Sequence, residues 1–351
     1  MFKKKRLSIL LGITLALALT AVGCGSTTSS TATKSSEAPT AAPTVAPIIV
    51  KFSHVVTANT PKGKAANKFK ELLEQKTNGR MKVEVYPSSQ LYGDKEELEQ
   101  CQAGNVQIIA PSITKLVGLN PKVQYVDLPF LFPNNNAVYK FWESDANKTL
   151  MNSFDKFSLK GLAMWPNGFK QFTDNKRPLL TPEDFKGLKF RTQAGKVLEA
   201  QFKGLGAGSA TIPFGETYAA LQQGTVDGQE NTYNNIDTQK YQEVQKYLSV
   251  TNHGRIDYIV LINNTFFNSL APDLQKDLLE SMAEATKYEI QQAELLDKAS
   301  LDNLKKNGKM QITELTSAQL GVFQKVMEPI YTQFESVIGK DVIDAAKNAS
   351  K

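Results

Sequence analysis

The side chains best suited to chemistry here are one arginine and a few polar groups near it in sequence. Arg191 lies in Leu188–Thr192 (LKFRT), a segment that reads as a strand. Leu188 and Phe190 share one face of it, and Lys189 and Arg191 share the other. Helical segments flank it, so both faces should be covered, yet it carries a guanidinium near its C-terminal end. In open α/β sheets that end borders the ligand crevice. A guanidinium there can hold a planar carboxylate through two parallel hydrogen bonds, a geometry lysine does not reproduce. The competing role is an edge-strand arginine in solvent or in a structural ion pair.

Further candidates surround it. The run Gly224–Asn231 (GTVDGQEN) sets an Asp-Gly turn ahead of Glu230 and Asn231. An asparagine amide both donates and accepts, so Asn231 can orient a bound acid. Phe214, after Pro213, offers an apolar wall or an ordinary core ring. Lys170 and Lys115 each follow a predicted strand end and would add positive charge, unless they are solvated surface lysines.

Catalytic and metal-binding patterns are missing. His54 and His253 are the only histidines, and no CxxC, HExxH or two-histidine spacing occurs. Ala194-Gly195-Lys196 lacks the rest of a phosphate loop, and no G-x-S-x-G elbow is present. The expectation is a protein with no metal, no cofactor and no catalytic role.

These residues need a scaffold, and the chain reads as α/β. Ile48–Val55 is a predicted strand, and Thr60-Pro61 starts a helix that ends near Asn78-Gly79. Met81–Tyr86 alternates as a strand, Asp94 caps a short helix, and Val106–Ala110 is a third strand. That β-α-β-α-β order predicts a mostly parallel sheet with helices on its faces. Val126–Phe132 contains Pro129 and reads as a buried connector or edge. A helix is expected from Phe141 to about Phe154, then a strand over Gly161–Trp165. The central stretch Phe185–Asn231 reads as strand, helix, short strand, helix. Tyr247–Thr251 and Tyr258–Asn263 are further strands. From Asp273 to Asn307 there is neither Gly nor Pro, so one long helix is expected, bent or broken where its apolar stripe changes phase. A last helical segment, Ser317–Val337, is interrupted by Pro329.

The N-terminus is a targeting sequence. MFKKKR precedes an apolar run that is short for a membrane span, the layout of a secretory signal. It ends in Ala21-Val22-Gly23-Cys24, which resembles a bacterial lipobox, so Cys24 is the expected lipidation site after cleavage of residues 1–23. Residues 24–47 are rich in Ser, Thr and Pro and read as a tether. The net charge of +6 is mostly targeting, because losing Lys3, Lys4, Lys5 and Arg6 leaves 37 basic against 35 acidic residues. With no basic run in the remainder, nucleic acid is not an expected partner. Once Cys24 is lipidated, Cys101 has no partner for a disulfide within the chain.

Three stretches together resemble a known family. GLKFRTQAGKVLEAQ, PFGETYAALQQGTVDGQEN and TQKYQEVQKYLSVTNH are similar to the solute-binding proteins of tripartite ATP-independent periplasmic (TRAP) transporters. TNGRMKVEVYPSSQLYGDKEELEQCQAG and NGFKQFTDNKRPLLTPEDFKGLKFR fit the same family, and the resemblance runs from Ile48 to the C-terminus. It implies an α/β, two-lobed, periplasmic-binding-protein-like (class II) fold with hinge strands and one long helix bridging both lobes. The implied lobes are 48–167 with 257–296, and 168–256 with 297–351. It puts the family's carboxylate-binding arginine on Arg191, its asparagine on Asn231 and its aromatic wall on Phe214. Lys170 stands where sialic-acid-binding members carry a second arginine. The KVLEAQ run and the GFKQ variant look more like the C4-dicarboxylate branch. The expected function is therefore capture of malate, succinate or fumarate by a monomer, lipid-anchored on the outer face of a bacterial cell membrane, for delivery to a TRAP permease. Lys170 or Lys115 would meet the distal carboxylate. The alternatives are a sugar acid, such as a uronate, or an acid-sensing partner of a membrane receptor.

Overall fold

The computed structural model describes residues 46–351. In chain order its strands are β1 (Ile48–Ser53), β2 (Met81–Tyr86), β3 (Ile108–Ile109), β4 (Leu159–Phe169), β5 (Gln171–Asp174), β6 (Lys189–Thr192), β7 (Gly208–Thr211), β8 (Gly228–Asn231), β9 (Tyr247–Val250), β10 (Arg255–Asn263) and β11 (Gln311–Glu314). The helices are α1 (Pro61–Lys76), α2 (Glu97–Gln102), α3 (Asn135–Glu143), α4 (Asp145–Asn152), α5 (Lys196–Gly204), α6 (Thr217–Gln222), α7 (Tyr233–Thr238), α8 (Asn264–Ser269), α9 (Pro272–Asn307), α10 (Ser317–Met327), α11 (Pro329–Ile338) and α12 (Lys340–Ala349).

The strands form two sheets, in the orders β2-β1-β3-β10-β4 and β11-β9-β5-β8-β6-β7. Each is parallel except for one strand: β10 runs against β3 and β4, and β5 runs against β8 and β9. The exceptions arise where the chain changes sheets. β4 passes directly into β5 with only Lys170 between them, and β9 returns to β10 through residues 251–254. A chain that walks straight from one sheet into the other enters it against the grain of the βαβ units there. These two crossings are the hinge between the lobes.

Helix α9 is one unbroken helix of 36 residues, roughly 54 Å long at ~1.5 Å per residue. Leu274, Leu278, Met282 and Ala285 pack into the core under the first sheet with Phe52, Phe69 and Trp165. Leu304, near its other end, packs with Leu248 and Met310 under the second sheet. The helix therefore braces both lobes. The C-terminal helices also bridge: α11 packs on α5 and on the 3-10 segment Pro121–Asp127, and α12 packs on α3 and α4. Pro329 does divide the last segment, as the first residue of α11.

Three expectations need correcting. The single helix from Phe141 is two helices, because Ser144 is extended (φ −70°, ψ 156°) and caps α4 by accepting from the Asn147 N–H. The third strand is only two residues long, since the chain after Ile109 turns toward a 3-10 helix at Ile113–Leu116. The Asp-Gly turn expected ahead of Glu230 ends at Asp227, because Gly228 already belongs to β8, which is fully buried between β5 and β6. Gly228 is required there, because a Cβ would collide with the Thr173 carbonyl oxygen and the Phe190 ring.

Candidate ligand-binding site

Arg191 sits on β6, which is an interior strand between β8 and β7. Phe190 turns to the aromatic core formed with Phe172, Phe185 and Phe202. Alternation then sends Arg191 to the opposite face, where it is 1% exposed. Its Nε donates to the Ile212 carbonyl at 2.9 Å, while Nη2 has no hydrogen-bond partner among the described residues. Burial pulls this guanidinium below its ordinary pKa, and the charges of Tyr241, Asp94 and Glu230 only partly offset that. Among the described residues no ion pair holds it, and it is buried on an interior strand, so neither of the structural roles applies. A buried cation with a free donor edge is costly unless an anion completes it.

The donor edge borders a small cavity between the lobes, of about 20 Å³. That is room for about one water molecule, so the cleft is drawn shut and a ligand enters only as the lobes part. Asn231, at the end of β8, lines the same cavity. Its Oδ1 accepts from Asn235 Nδ2 at 2.7 Å, which leaves its buried Nδ2 unpartnered. Phe214 packs against Val55 and Val56 of the first lobe and forms an apolar wall. Arg191, Asn231 and Phe214 are thus brought together.

The two lysines are not. Lys170 is fully buried in the hinge, where its Nζ bonds Glu230 Oε1 at 2.5 Å and lies 4.0 Å from Asp127. Glu230 also bonds His253 Nε2 at 2.8 Å and accepts from Gln201 at 2.8 Å. Burial alone would push Glu230 up, but Lys170 and His253 outweigh it and hold the carboxyl down at about 2. The ammonium of Lys170 is spent on Glu230, which through His253 ties one hinge crossing to the other. Lys115 stands at the mouth of the cleft, 3.3 Å from Asp94 and 3.0 Å from the Gln193 carbonyl, outside the cavity wall.

A different lysine takes the place expected of them. Lys62, in the first turn of α1, lines the cavity from the first lobe and is 1% exposed. Its Nζ donates to the Ala110 carbonyl at 2.8 Å and lies 3.6 Å above the Tyr258 ring. Burial pulls its pKa down to about 8, with Glu97, Asp94 and Glu289 acting against the drop. Burial and the charge of Asp94 push Glu97 up, and both its carboxylate oxygens are unpartnered. The sequence did hold a hint. Thr60-Pro61-Lys62 puts a cation at a helix N-terminus, where the helix dipole opposes it. The arrangement offers one cation from each lobe, an amide donor and an aromatic wall around a small cavity. Among the described residues no group of three His, Cys, Asp or Glu side chains is placed to hold a metal ion, and no helix is long and apolar enough to cross a membrane.

Comparison with known proteins agrees with that chemistry. The family model for the bacterial extracellular solute-binding proteins, family 7 (DctP), matches residues 52–337. The chain is 42% identical to the C4-dicarboxylate-binding protein DctB of Bacillus subtilis, over 84% of this chain and 85% of that protein. A TRAP periplasmic solute-binding protein from Shewanella oneidensis with bound succinate superposes with a TM-score of 0.86 at 42% identity, covering 87% of this chain and 100% of that one. One from Pseudomonas aeruginosa with bound L-malate gives 0.80 at 38%, covering 82% and 100%.

Proposed function

The chain belongs to family 7 of the bacterial extracellular solute-binding proteins, and from that premise we propose that it captures a C4-dicarboxylate, succinate, malate or fumarate, between its lobes and delivers it to a TRAP-type permease. Membership makes it a binder of solutes rather than a catalyst. The observation that carries the choice of ligand is the pairing of two buried cations, Arg191 and Lys62, on opposite lobes of one small cavity. A dianion neutralises both. Arg191 holds one carboxylate through its Nη edge, with Nε committed to Ile212 as a fixed pivot. Asn231 donates its free Nδ2 to the same end of the ligand, and Phe214 covers the carbon chain. Lys62 meets the other carboxylate, the role first expected of Lys170 or Lys115. Both cations lose their water on closure, so the lobes close well only on an anion and stand open without one.

A thermal-shift screen of organic acids tests the assignment. Succinate, malate and fumarate should raise Tm, and the rise should go on with the logarithm of ligand concentration above Kd. Stabilisation by a uronate with no response to the C4 acids overturns the choice of ligand. Anchoring through Cys24 is supported by the preceding Ala21-Val22-Gly23 and lies outside the described residues. Its test is Cys24→Ser, which should release the protein from the membrane into the extracytoplasmic fluid.

A further inference from the structure

We propose that Lys115 is the closure latch of the binding cleft, a positioning residue that sets how long the ligand stays without touching it. The proposal rests on the ligand-capture reading above and goes beyond it. Lys115 belongs to the first lobe: the 3-10 helix Ile113–Leu116 follows β3, and Ser112 just before it is bridged to Tyr258 of β10. Its Nζ donates across the cleft to the Gln193 carbonyl at 3.0 Å, two residues beyond Arg191 in the second lobe. The same ammonium holds Asp94, also of the first lobe, at 3.3 Å. Asp94 Oδ2 in turn accepts the backbone N–H of Phe214, from the second lobe, at 2.7 Å. One ion pair of the first lobe therefore grips the second lobe at two backbone points, and those points flank the anchor arginine and the aromatic wall.

The position is as informative as the bonds. Asp94 and Gln193 line both the inner cavity and the outer cleft, whereas Lys115 lines only the outer cleft. The Asp94–Lys115 pair is the partition between ligand and solvent. Both side chains are largely buried, 5% and 14% exposed, so solvent screens the pair little. Burial alone would push Asp94 up, yet Lys115, the Phe214 amide and Arg191 together keep it ionised, as a latch acceptor must be. Opening the lobes breaks the bonds to Gln193 and Phe214 at once, and ligand cannot leave until they break. A contact of this kind acts on the dissociation rate. A side chain that met the distal carboxylate would act on the choice between diacids and monoacids.

Stopped-flow fluorescence on the full chain separates the two roles, with succinate as probe and D-glucuronate in its place if succinate fails to shift the wild-type Tm. That substitution keeps a wrong ligand assignment apart from a wrong latch. Lys115→Met should raise the dissociation rate about 10- to 100-fold, the scale of losing one charged hydrogen bond. The association rate should stay within about twofold, and Lys115→Arg should restore retention by reaching the same two acceptors. The affinity ratio of the probe to its single-carboxylate or neutral analogue, butyrate or glucose, should match that of wild type. An unchanged dissociation rate overturns the proposal. So does a loss confined to the probe with the analogue unaffected, which makes Lys115 a ligand contact.

Discussion

Replacing Arg191 by methionine should weaken ligand binding strongly without weakening the fold, and the two signs together test the assignment. In the closed form the guanidinium is buried, makes one hydrogen bond to Ile212 and leaves Nη2 unpartnered, whereas the open lobes let water reach it. An unsatisfied buried polar group costs about 1–3 kcal/mol, and the bond to Ile212 returns about 1 kcal/mol. Methionine removes both terms at similar volume, so closure without ligand should become easier by up to about 2 kcal/mol and the fold should not weaken. Binding moves the other way. Removing one partner of a buried charge pair costs about 2–5 kcal/mol, or about 30-fold to several thousandfold in Kd. Arg191→Lys keeps the charge but loses the pivot on Ile212 and the two-pronged edge, so it should recover only part of the affinity. Calorimetry with succinate reads the affinity, and thermal unfolding without ligand reads the stability. A variant with near-normal affinity and a lower Tm refutes the reasoning, because Arg191 would then be holding the fold.

Lys62→Met should cost succinate about 10-fold or more and leave a monocarboxylate nearly untouched, as competition titrations would show. Since burial lowers the Lys62 pKa to about 8 and a bound carboxylate favours its charged form, binding takes up a proton near that pH. Affinity should therefore be level between about pH 6 and 7, where both ligand carboxyls are ionised, fall toward tenfold per unit above about pH 8, and lose that slope in Lys62→Met. At the hinge, Glu230→Gln leaves Lys170 buried without its carboxylate, and urea unfolding should show a loss of about 3–5 kcal/mol. Because Glu230 is held at about 2 in the fold against 4.5 otherwise, its contribution is present above about pH 4.5 and is lost as pH falls toward 2. The wild type should thus lose stability across that acid window more steeply than the variant.

How far the site was legible from sequence differs residue by residue. Arg191 was legible because alternation acts within a strand: an apolar Phe190 fixes which way its neighbour turns, wherever the strand lies. Helix starts such as Thr60-Pro61 were legible for the same local reason, as the cap accepts from Gly63 three residues on. Lys170 and Lys115 looked alike, each a lysine after a strand. Their roles depend on Glu230 and His253 in one case, and on Asp94 and Gln193 in the other. Lys62 went unnoticed because only packing sets it against the ring of Tyr258, far along the chain.

The sequence by itself determined most of the elements, the setting of Arg191 on a covered strand and the family. Tertiary structure decided which cations line the cavity, which strands run backwards and where the lobes grip each other. The physical reason is range. Backbone alternation, capping and turn chemistry act over a few residues and are written in consecutive letters, whereas a buried charge takes its role from the partner that folding brings beside it.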